Sequence, residues 1–166
     1  MVRKRSPASL PISHKHREPG REKPGRKEVG RKELTIRAPR VPIILQRQTA
    51  DCGAACLAMV LAAHGKQVQT EEIHRLMKLG PQGVDAHTLL KVAQRFGLRG
   101  RGVAVDLSAL QQLPLPAILH WRNSHYVVLV AWRKKSAEII DPSLGRTKLD
   151  ARQFGAAFSG TALLFE

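Results

Sequence analysis

Short runs rich in Val, Ile and Leu, separated by turn-forming residues, divide the second half of the sequence. This feature limits the possible fold more than any other. Such runs are typical of β-strands, and they lie at 116–121, 126–132, 137–140, 146–149 and 161–165. Three helical patterns come before them, over about 52–64, 70–79 and 85–96. Helices followed by strands predict an α+β fold, with N-terminal helices packed on one face of a C-terminal antiparallel sheet.

The first helical pattern has recognisable signals at both ends. Asp51 is expected to act as its N-cap, and Gly65 to follow its last turn. Its buried stripe is predicted to contain Ala55, Met59 and either Ala62 or Ala63.

The remaining elements are predicted in the same way. Thr70 is expected to cap the second helix and Asp85 to begin the third, which ends before Gly97. The predicted core-facing residues of these two helices are Ile73, Leu76, Met77, Leu89, Leu90, Ala93 and Phe96. A strand is expected over 99–105, a short helix over 106–113 and a last small helix over 150–158, with 161–165 as an edge or closing strand.

The first 40 residues are predicted to be a disordered basic extension, and residues 41–166 a single folded domain. Residues 1–40 hold 13 of the 28 Lys and Arg residues and four Glu, so they carry +9 of the net charge of +15. A five-residue repeat starting at Gly20, Gly25 and Gly30 matches neither the helix nor the strand period. The extension could bind nucleic acid or an anionic membrane surface through phosphate attraction. A solvated extension without a specific partner is favoured, because it has no aromatic residue for base stacking.

Composition also bears on the compartment. The longest apolar runs, near 115–119 and 126–132, are far shorter than the roughly 20 residues of a membrane span. No apolar run follows the basic N-terminus, so a secretory signal is not expected. The two cysteines of the chain are one helical turn apart, where a disulfide would be strained, and a reducing compartment is the simpler inference. The chain is expected to be soluble and cytoplasmic.

Cys52 lies where the polar segment 46–53 meets the first helical pattern. A helix N-terminus carries partial positive charge and unpaired N–H groups, and both favour a thiolate over a thiol. Cys52 is therefore a candidate nucleophile. The alternative is that Cys52 is a small buried residue at a helix start, as many helical cysteines are. Cys56, one turn later, is expected to serve packing.

A cysteine nucleophile needs a base, and the base needs a group that orients it. His125 is the best candidate base among seven histidines, because it precedes an apolar strand that would hold it rigidly; a surface or last-turn role is favoured for His64, His74 and His87. Asp141 ends the next strand. If the two strands pair through a hairpin turn at 133–136, His125 and Asp141 meet at one sheet edge. The alternative is that Asp141 only initiates a turn before Pro142.

Gln46 could supply the remaining part of such a site. Its side-chain amide, together with the backbone N–H of Cys52, could form an oxyanion hole. A zinc site built from Cys52, Cys56 and a histidine is disfavoured, because no second Cys or His pair lies at close spacing. No metal or cofactor is expected.

Four sequence motifs, taken in order, are similar to those of one known family. The motifs are Gln46 with Asp51-Cys52-Gly53, Ala54-Ala55-Cys56-Leu57-Ala58-Met59, His125-Tyr126-Val127-Val128, and Asp141-Pro142. They resemble the double-glycine leader peptidases, the papain-like cysteine peptidase domains of ABC transporters that process and export bacteriocins. The segments 114–121 and 154–166 look most like the branch that serves nitrile-hydratase-like leader peptides.

The resemblance implies a function. Cys52 would be the nucleophile, His125 the base, Asp141 its orienting group and Gln46 the oxyanion donor. The substrate would be a precursor peptide with an amphipathic helical leader, cut after Gly-Gly or Gly-Ala. The partners would be the membrane and ATP-binding domains of a transporter, fused or separate, on the cytoplasmic side of the bacterial inner membrane. The competing hypothesis is a peptidase-like domain that binds the precursor or a transporter without cutting. The chain ends without transporter domains, which fits an excised domain or a stand-alone peptidase.

Overall fold

The computed structural model describes residues 40–78, 80, 83–133 and 135–166. The predicted basic extension, residues 1–40, lies outside the described residues except for Arg40. Within the described ranges, no helix combines the length and apolar character that crossing a membrane requires.

Three α-helices occupy the predicted positions: α1 (Cys52–Ala63), α2 (Thr70–Met77) and α3 (Ala86–Arg95). Gly65 and Gly97 follow α1 and α3 with φ angles of 77° and 70°, a left-handed conformation that costs glycine little. Asp85 caps α3 as predicted, because its Oδ1 accepts a hydrogen bond from the backbone N–H of Thr88 at 2.7 Å. Thr70 is the first residue of α2, and the cap position is Gln69.

Asp51 does not cap α1, contrary to the sequence prediction. A short 3₁₀ helix, Thr49–Asp51, runs directly into α1, so that Asp51 has the helical angles φ −86° and ψ −6°. Its carboxylate turns back along the chain, and Oδ2 accepts a hydrogen bond from the backbone N–H of Gln48 at 3.0 Å. The carboxylate therefore fixes the segment that precedes Cys52.

Helix α1 is buried on every side over residues 52–61, so the predicted narrow stripe is wrong. It packs on the sheet and also contacts α2 and α3. A helix surrounded in this way is apolar all round. Leu76 was also wrongly placed in the core; α2 buries Ile73 and Met77 and leaves Leu76 43% exposed.

The sheet contains six strands, all paired antiparallel: β1 (Gly100–Ala104), β2 (Ala117–Trp121), β3 (His125–Arg133), β4 (Ser136–Asp141), β5 (Gly145–Asp150) and β6 (Phe158–Phe165). Their order in the sheet is β1-β6-β2-β3-β4-β5. Residues 161–165 form a strand, as predicted, but of the two predicted positions, edge or closing, the edge is wrong, because β6 lies between β1 and β2. The strand β1 takes the edge position instead.

Both faces of the sheet are covered. Helices α1 and α3 contact one face of the sheet and α2 packs against these two helices, which confirms the predicted packing. The other face carries α4 (Ala151–Ala157) and a 3₁₀ helix (Leu107–Gln112). These two elements correspond to the short helices predicted over 150–158 and 106–113. Phe154 of α4 is fully buried there, with its ring centroid 5.1 Å from those of Trp121 and Trp132. This second core was not predicted.

The register of β3 and β4 determines which residues meet at one end of the sheet. Arg133 pairs with Ser136, and Val128 pairs with Ile140. The hairpin therefore places the start of β3 beside the end of β4, as the sequence predicted.

Candidate active site

Cys52 is the first residue of α1 and is 5% exposed. The 3₁₀ helix before it and the sheet beneath α1 hold it in place. The next residue, Gly53, allows this end of the helix to approach its neighbours closely: a Cβ atom there would lie 2.4 Å from Val84 Cγ1 and 3.5 Å from Tyr126 Cδ2. Glycine at position 53 thus allows the start of α1 to lie close to Val84, the residue next to the Asp85 cap of α3.

His125 and Asp141 form the predicted contact. His125 Nε2 lies 2.9 Å from Asp141 Oδ1. The hydrogen bonds of His125 to Asp141 and to Cys52 raise the pKa of the imidazole from 6.5 to about 9, although burial opposes the shift. With Nε2 used by Asp141, Nδ1 is the ring nitrogen that remains for the thiol. The imidazole of His125 therefore interacts with the Asp141 carboxylate through Nε2, and Cys52 is close enough to influence its pKa.

Asp141 is a buried carboxylate held by several donors. Its Oδ1 also accepts hydrogen bonds from the backbone N–H of Ser143 at 2.8 Å and from Ser143 Oγ at 2.6 Å. Burial alone would raise the pKa of Asp141, but the hydrogen bonds from His125 and Ser143 outweigh it and lower the pKa to about 2. Asp141 is therefore ionised at neutral pH, and His125 is protonated beside it.

Gln46 is held close to the same residues. Its backbone N–H donates to Pro142 O at 2.8 Å, which ties the chain before α1 to the turn after β4. Its side chain borders a cleft of about 490 Å³ together with His125 and Asp141. The four residues predicted from the sequence thus come from α1, the segment ahead of it, β3 and β4, and they gather at one end of the sheet.

The second cysteine has a different environment. Cys56 is fully buried in the core between the helices and the sheet. Burial raises the pKa of its thiol well above the ordinary value, and the neighbouring Cys52 and Asp141 raise it further. Burial likewise raises the pKa of Tyr126 to about 12, so both groups stay neutral beside the site.

Sequence reasoning missed two residues near the site. Ser143 could have been found, because Asp-Pro-Ser is a turn pattern in which a side-chain carboxylate accepts from the residue two positions later. His74 does lie in the last turn of α2, one of the two positions predicted for it. The contact of its ring was missed, because its Nε2 is buried and lies 3.6 Å from Asp51 Oδ1. Nothing in the helical period of α2 marks that position.

The chain is similar to a known peptidase family and to the members of that family described below. Residues 40–166 match the Peptidase C39 family. Over 124 residues the chain is 35% identical to the colicin V secretion/processing ATP-binding protein CvaB of Escherichia coli, a match that covers 75% of this chain and 18% of that protein. The chain therefore spans less than a fifth of the length of this curated relative.

Two solved structures share the fold. A double glycine motif protease from an AMS/PCAT transporter, in complex with the leader peptide, is 36% identical with a TM-score of 0.75, covering 79% of this chain and 94% of that one. The peptidase domain of Streptococcus ComA, a bi-functional ABC transporter involved in a quorum sensing pathway, is 26% identical with a TM-score of 0.70, covering 76% and 98%. These structures confirm the predicted papain-like α+β fold. The narrower resemblance to the nitrile-hydratase-like branch stays a prediction.

Proposed function

This chain belongs to the peptidase C39 family, and we propose that it acts as a cysteine endopeptidase that removes the leader from a bacteriocin or related precursor peptide by cutting after Gly-Gly or Gly-Ala. The observation that carries the proposal is the contact of His125 Nε2 with Asp141 Oδ1 at 2.9 Å, on an imidazole whose pKa is raised by both Asp141 and Cys52. A double glycine motif protease with its leader peptide is among the similar structures, which supports this choice of substrate.

The first half of the reaction follows from the charge states of the site. Because the pKa of His125 is about 9, the imidazole is protonated at neutral pH and stabilises a Cys52 thiolate. The thiolate attacks the carbonyl carbon of the second residue in the small pair, and the oxygen of that carbonyl becomes an oxyanion. The side-chain NH₂ of Gln46 and the backbone N–H of Cys52 donate to that oxyanion. Losing one such donor typically lowers the rate by about 10²–10³.

The second half returns the site to its starting state. The C–N bond breaks as the His125 Nδ1–H gives its proton to the leaving amine, and the leader stays on Cys52 as a thioester. His125 then takes a proton from water, which attacks the thioester and releases the leader as a carboxylic acid. Asp141, held by Ser143, keeps the His125 ring oriented through both steps.

The surface around the thiol offers two places for a peptide. One is the cleft bordered by Gln46, His125 and Asp141. The other is a depression of about 680 Å³ that Val84 and Tyr126 help to line, and these two side chains contact Gly53 beside the nucleophile. Ser124 borders both cavities, so an extended chain that crosses from one to the other passes the residue before β3, with the leader helix extending beyond.

The proposed partners follow from the curated relative, a secretion/processing ATP-binding protein. The precursor would be delivered to export, with the membrane and ATP-binding domains of a transporter fused to this domain or separate from it. The domain would then work on the cytoplasmic side of the bacterial inner membrane. The role of the basic extension there stays a prediction.

Incubation with a set of synthetic leader peptides tests the proposal. Peptides would carry Gly-Gly, Gly-Ala, Ala-Ala or Val-Val before the cleavage point, and mass spectrometry would locate the cut. We expect cleavage after Gly-Gly and Gly-Ala and little after Val-Val. Binding of the Gly-Gly peptide without any cut, measured by fluorescence anisotropy, would favour a non-cleaving precursor-binding domain instead.

A further inference from the structure

Gln46 borders two cavities. On one side it faces the cleft of about 490 Å³ that it shares with His125 and Asp141. On the other side it lines a smaller cavity of about 170 Å³ together with Asp51 and His74. A side-chain amide has a carbonyl end and an NH₂ end, so Gln46 can present a different group to each cavity.

Two buried polar atoms in this region have no hydrogen-bond partner. They are Gln46 Oε1 and His74 Nε2, and they are the two such side-chain atoms among the described residues. Buried polar atoms in folded proteins nearly always have a partner. Both residues line the smaller cavity, which has room for a bridging water.

The chemistry of the neighbours decides what His74 must do. Gln46 Oε1 can only accept a hydrogen bond, and so can the Asp51 carboxylate, whose Oδ1 lies 3.6 Å from His74 Nε2. A hydrogen on Nε2 is therefore favourable, because Gln46 Oε1 lacks a donor and the Asp51 Oδ1 that lies 3.6 Å away is also an acceptor. A lone pair on Nε2 would instead face oxygen atoms.

We propose that His74 is a positioning residue for the oxyanion donor: its Nε2–H holds Gln46 Oε1 through one bridging water in the smaller cavity, and so turns the Gln46 NH₂ toward the cleft. This inference rests on the proposed function. Asp51 connects the two segments: its Oδ2 accepts from the Gln48 backbone N–H, and its Oδ1 lies 3.6 Å from His74 Nε2. The chain between Gln46 and Cys52 is thereby fixed by a group on α2, a helix outside the catalytic set.

An ion pair that lines the smaller cavity provides a matched control for substitutions of His74. Arg47 Nη1 lies 2.7 Å from Glu71 Oε1, and both residues line the smaller cavity. This pair also links α2 to the segment before α1, but both side chains are exposed. A variant that breaks it, Glu71→Gln, disturbs the tether without removing the donor to Gln46.

The first test is a double-mutant cycle on leader-peptide cleavage. His74→Leu should lower kcat roughly 10-fold with little change in KM, a part of the ~10²–10³ that one oxyanion donor provides. His74→Gln, which keeps an N–H donor at similar reach, should recover most of the loss, and Glu71→Gln should stay within about twofold of the wild type. In a Gln46→Ala background His74→Leu should have almost no further effect. An equal loss with and without Gln46 would overturn the proposal, and so would full activity of His74→Leu.

The second test distinguishes an effect of His74 on Gln46 from an effect of His74 on Cys52. Alkylation by iodoacetamide displaces iodide at a saturated carbon and forms no oxyanion. His74→Leu should therefore leave the alkylation rate of Cys52 unchanged while hydrolysis falls. A parallel fall of both rates would mean that His74 acts by placing Cys52, and the proposal would be wrong.

The third test does not depend on a substrate. The side-chain NH₂ signals of Gln46, assigned by their loss in Gln46→Ala, can be followed by ¹H–¹⁵N NMR. They should shift in His74→Leu and stay near their wild-type positions in Glu71→Gln. Unchanged signals in His74→Leu would overturn the proposal even if no leader peptide is cleaved. Absence of cleavage by the wild type would count against the proposed function alone.

Discussion

His125 Nε2 lies 2.9 Å from Asp141 Oδ1, although 16 residues separate the two along the chain. The β3–β4 hairpin returns the chain to the end of the sheet at which β3 begins. Ser143 then supplies two further hydrogen bonds to the same carboxylate oxygen. The result is a charged pair in a half-buried setting, and its properties lead to the first two expectations.

The stability of the folded chain should depend on pH through this pair. The pKa of His125 is about 9 in the folded state against an ordinary 6.5, so the folded state binds the proton more tightly. The stabilisation is then complete below pH 6.5 and is lost as the pH rises through 9. For Asp141, with its pKa lowered from 3.8 to about 2, the stabilisation is present above pH 3.8 and is lost as the pH falls through 2.

Urea unfolding at a series of pH values measures this effect. The free energy of unfolding of the wild type should fall between pH 6.5 and 9, and Asp141→Asn should remove most of that slope. Glu138→Gln, on the same strand but paired with the exposed Arg146, should keep it. An equal slope in Asp141→Asn would contradict the proposed coupling.

Ser143→Ala should weaken peptide cleavage moderately. It removes the Oγ hydrogen bond to Asp141 at 2.6 Å and keeps the backbone one. A hydrogen bond of this kind contributes about 1 kcal/mol, so kcat/KM should fall roughly fivefold, and the pKa of His125 seen in the pH–rate profile should also change. Ser136→Ala, at the far end of β4, is the matched control and should be neutral.

Alkylation should distinguish the two cysteines. Cys52 is next to a protonated imidazole, whereas Cys56 is fully buried and burial raises the pKa of its thiol. Iodoacetamide near pH 7 should therefore modify Cys52 first, because the thiolate is the reactive form. Peptide mapping by mass spectrometry gives the sites. Equal modification of both cysteines in the folded chain would be inconsistent with this assignment.

Gly53→Ala should disturb the nucleophile by overpacking. Alanine favours a helix over glycine by about 1 kcal/mol, but the added Cβ would lie 2.4 Å from Val84 Cγ1. Overpacking typically costs about 1–3 kcal/mol, so we expect a lower melting temperature and slower cleavage. The double variant Gly53→Ala/Val84→Ala should recover part of both losses, since it removes the methyl group in conflict. No recovery would mean that the contact with Val84 is not the cause.

The sequence allowed the contact between His125 and Asp141 to be predicted better than the packing around it. His125 and Asp141 could be paired because a hairpin between adjacent strands fixes which residues meet. The position of β6 between β1 and β2 could not, because pairing between distant strands leaves no local signal. The complete burial of α1 was missed for a similar reason: it depends on α2, α3 and the sheet together, and an alanine-rich helix has no clear polar face.

His74 shows a further limit. Its role depends on how α2 lies against the segment before α1, and that angle is set by tertiary packing. The Asp51 cap failed on a local competition, because the chain continued the helix upstream as a 3₁₀ turn. The Asp51 carboxylate instead accepts from the Gln48 backbone three residues upstream, whereas the surroundings of His74 come from segments distant in sequence.

Cleavage of a Gly-Gly leader peptide by Cys52→Ala and by Cys56→Ala, assayed side by side, tests the central claim most directly. Both variants lose one sulfur from the same helix, so any general effect on α1 should be shared. Cys56→Ala should cut the peptide after the Gly-Gly pair, at a rate reduced only by the cavity it leaves. Cys52→Ala should remain folded by circular dichroism and give no cut. Cleavage by Cys52→Ala at the wild-type rate and position would contradict the account.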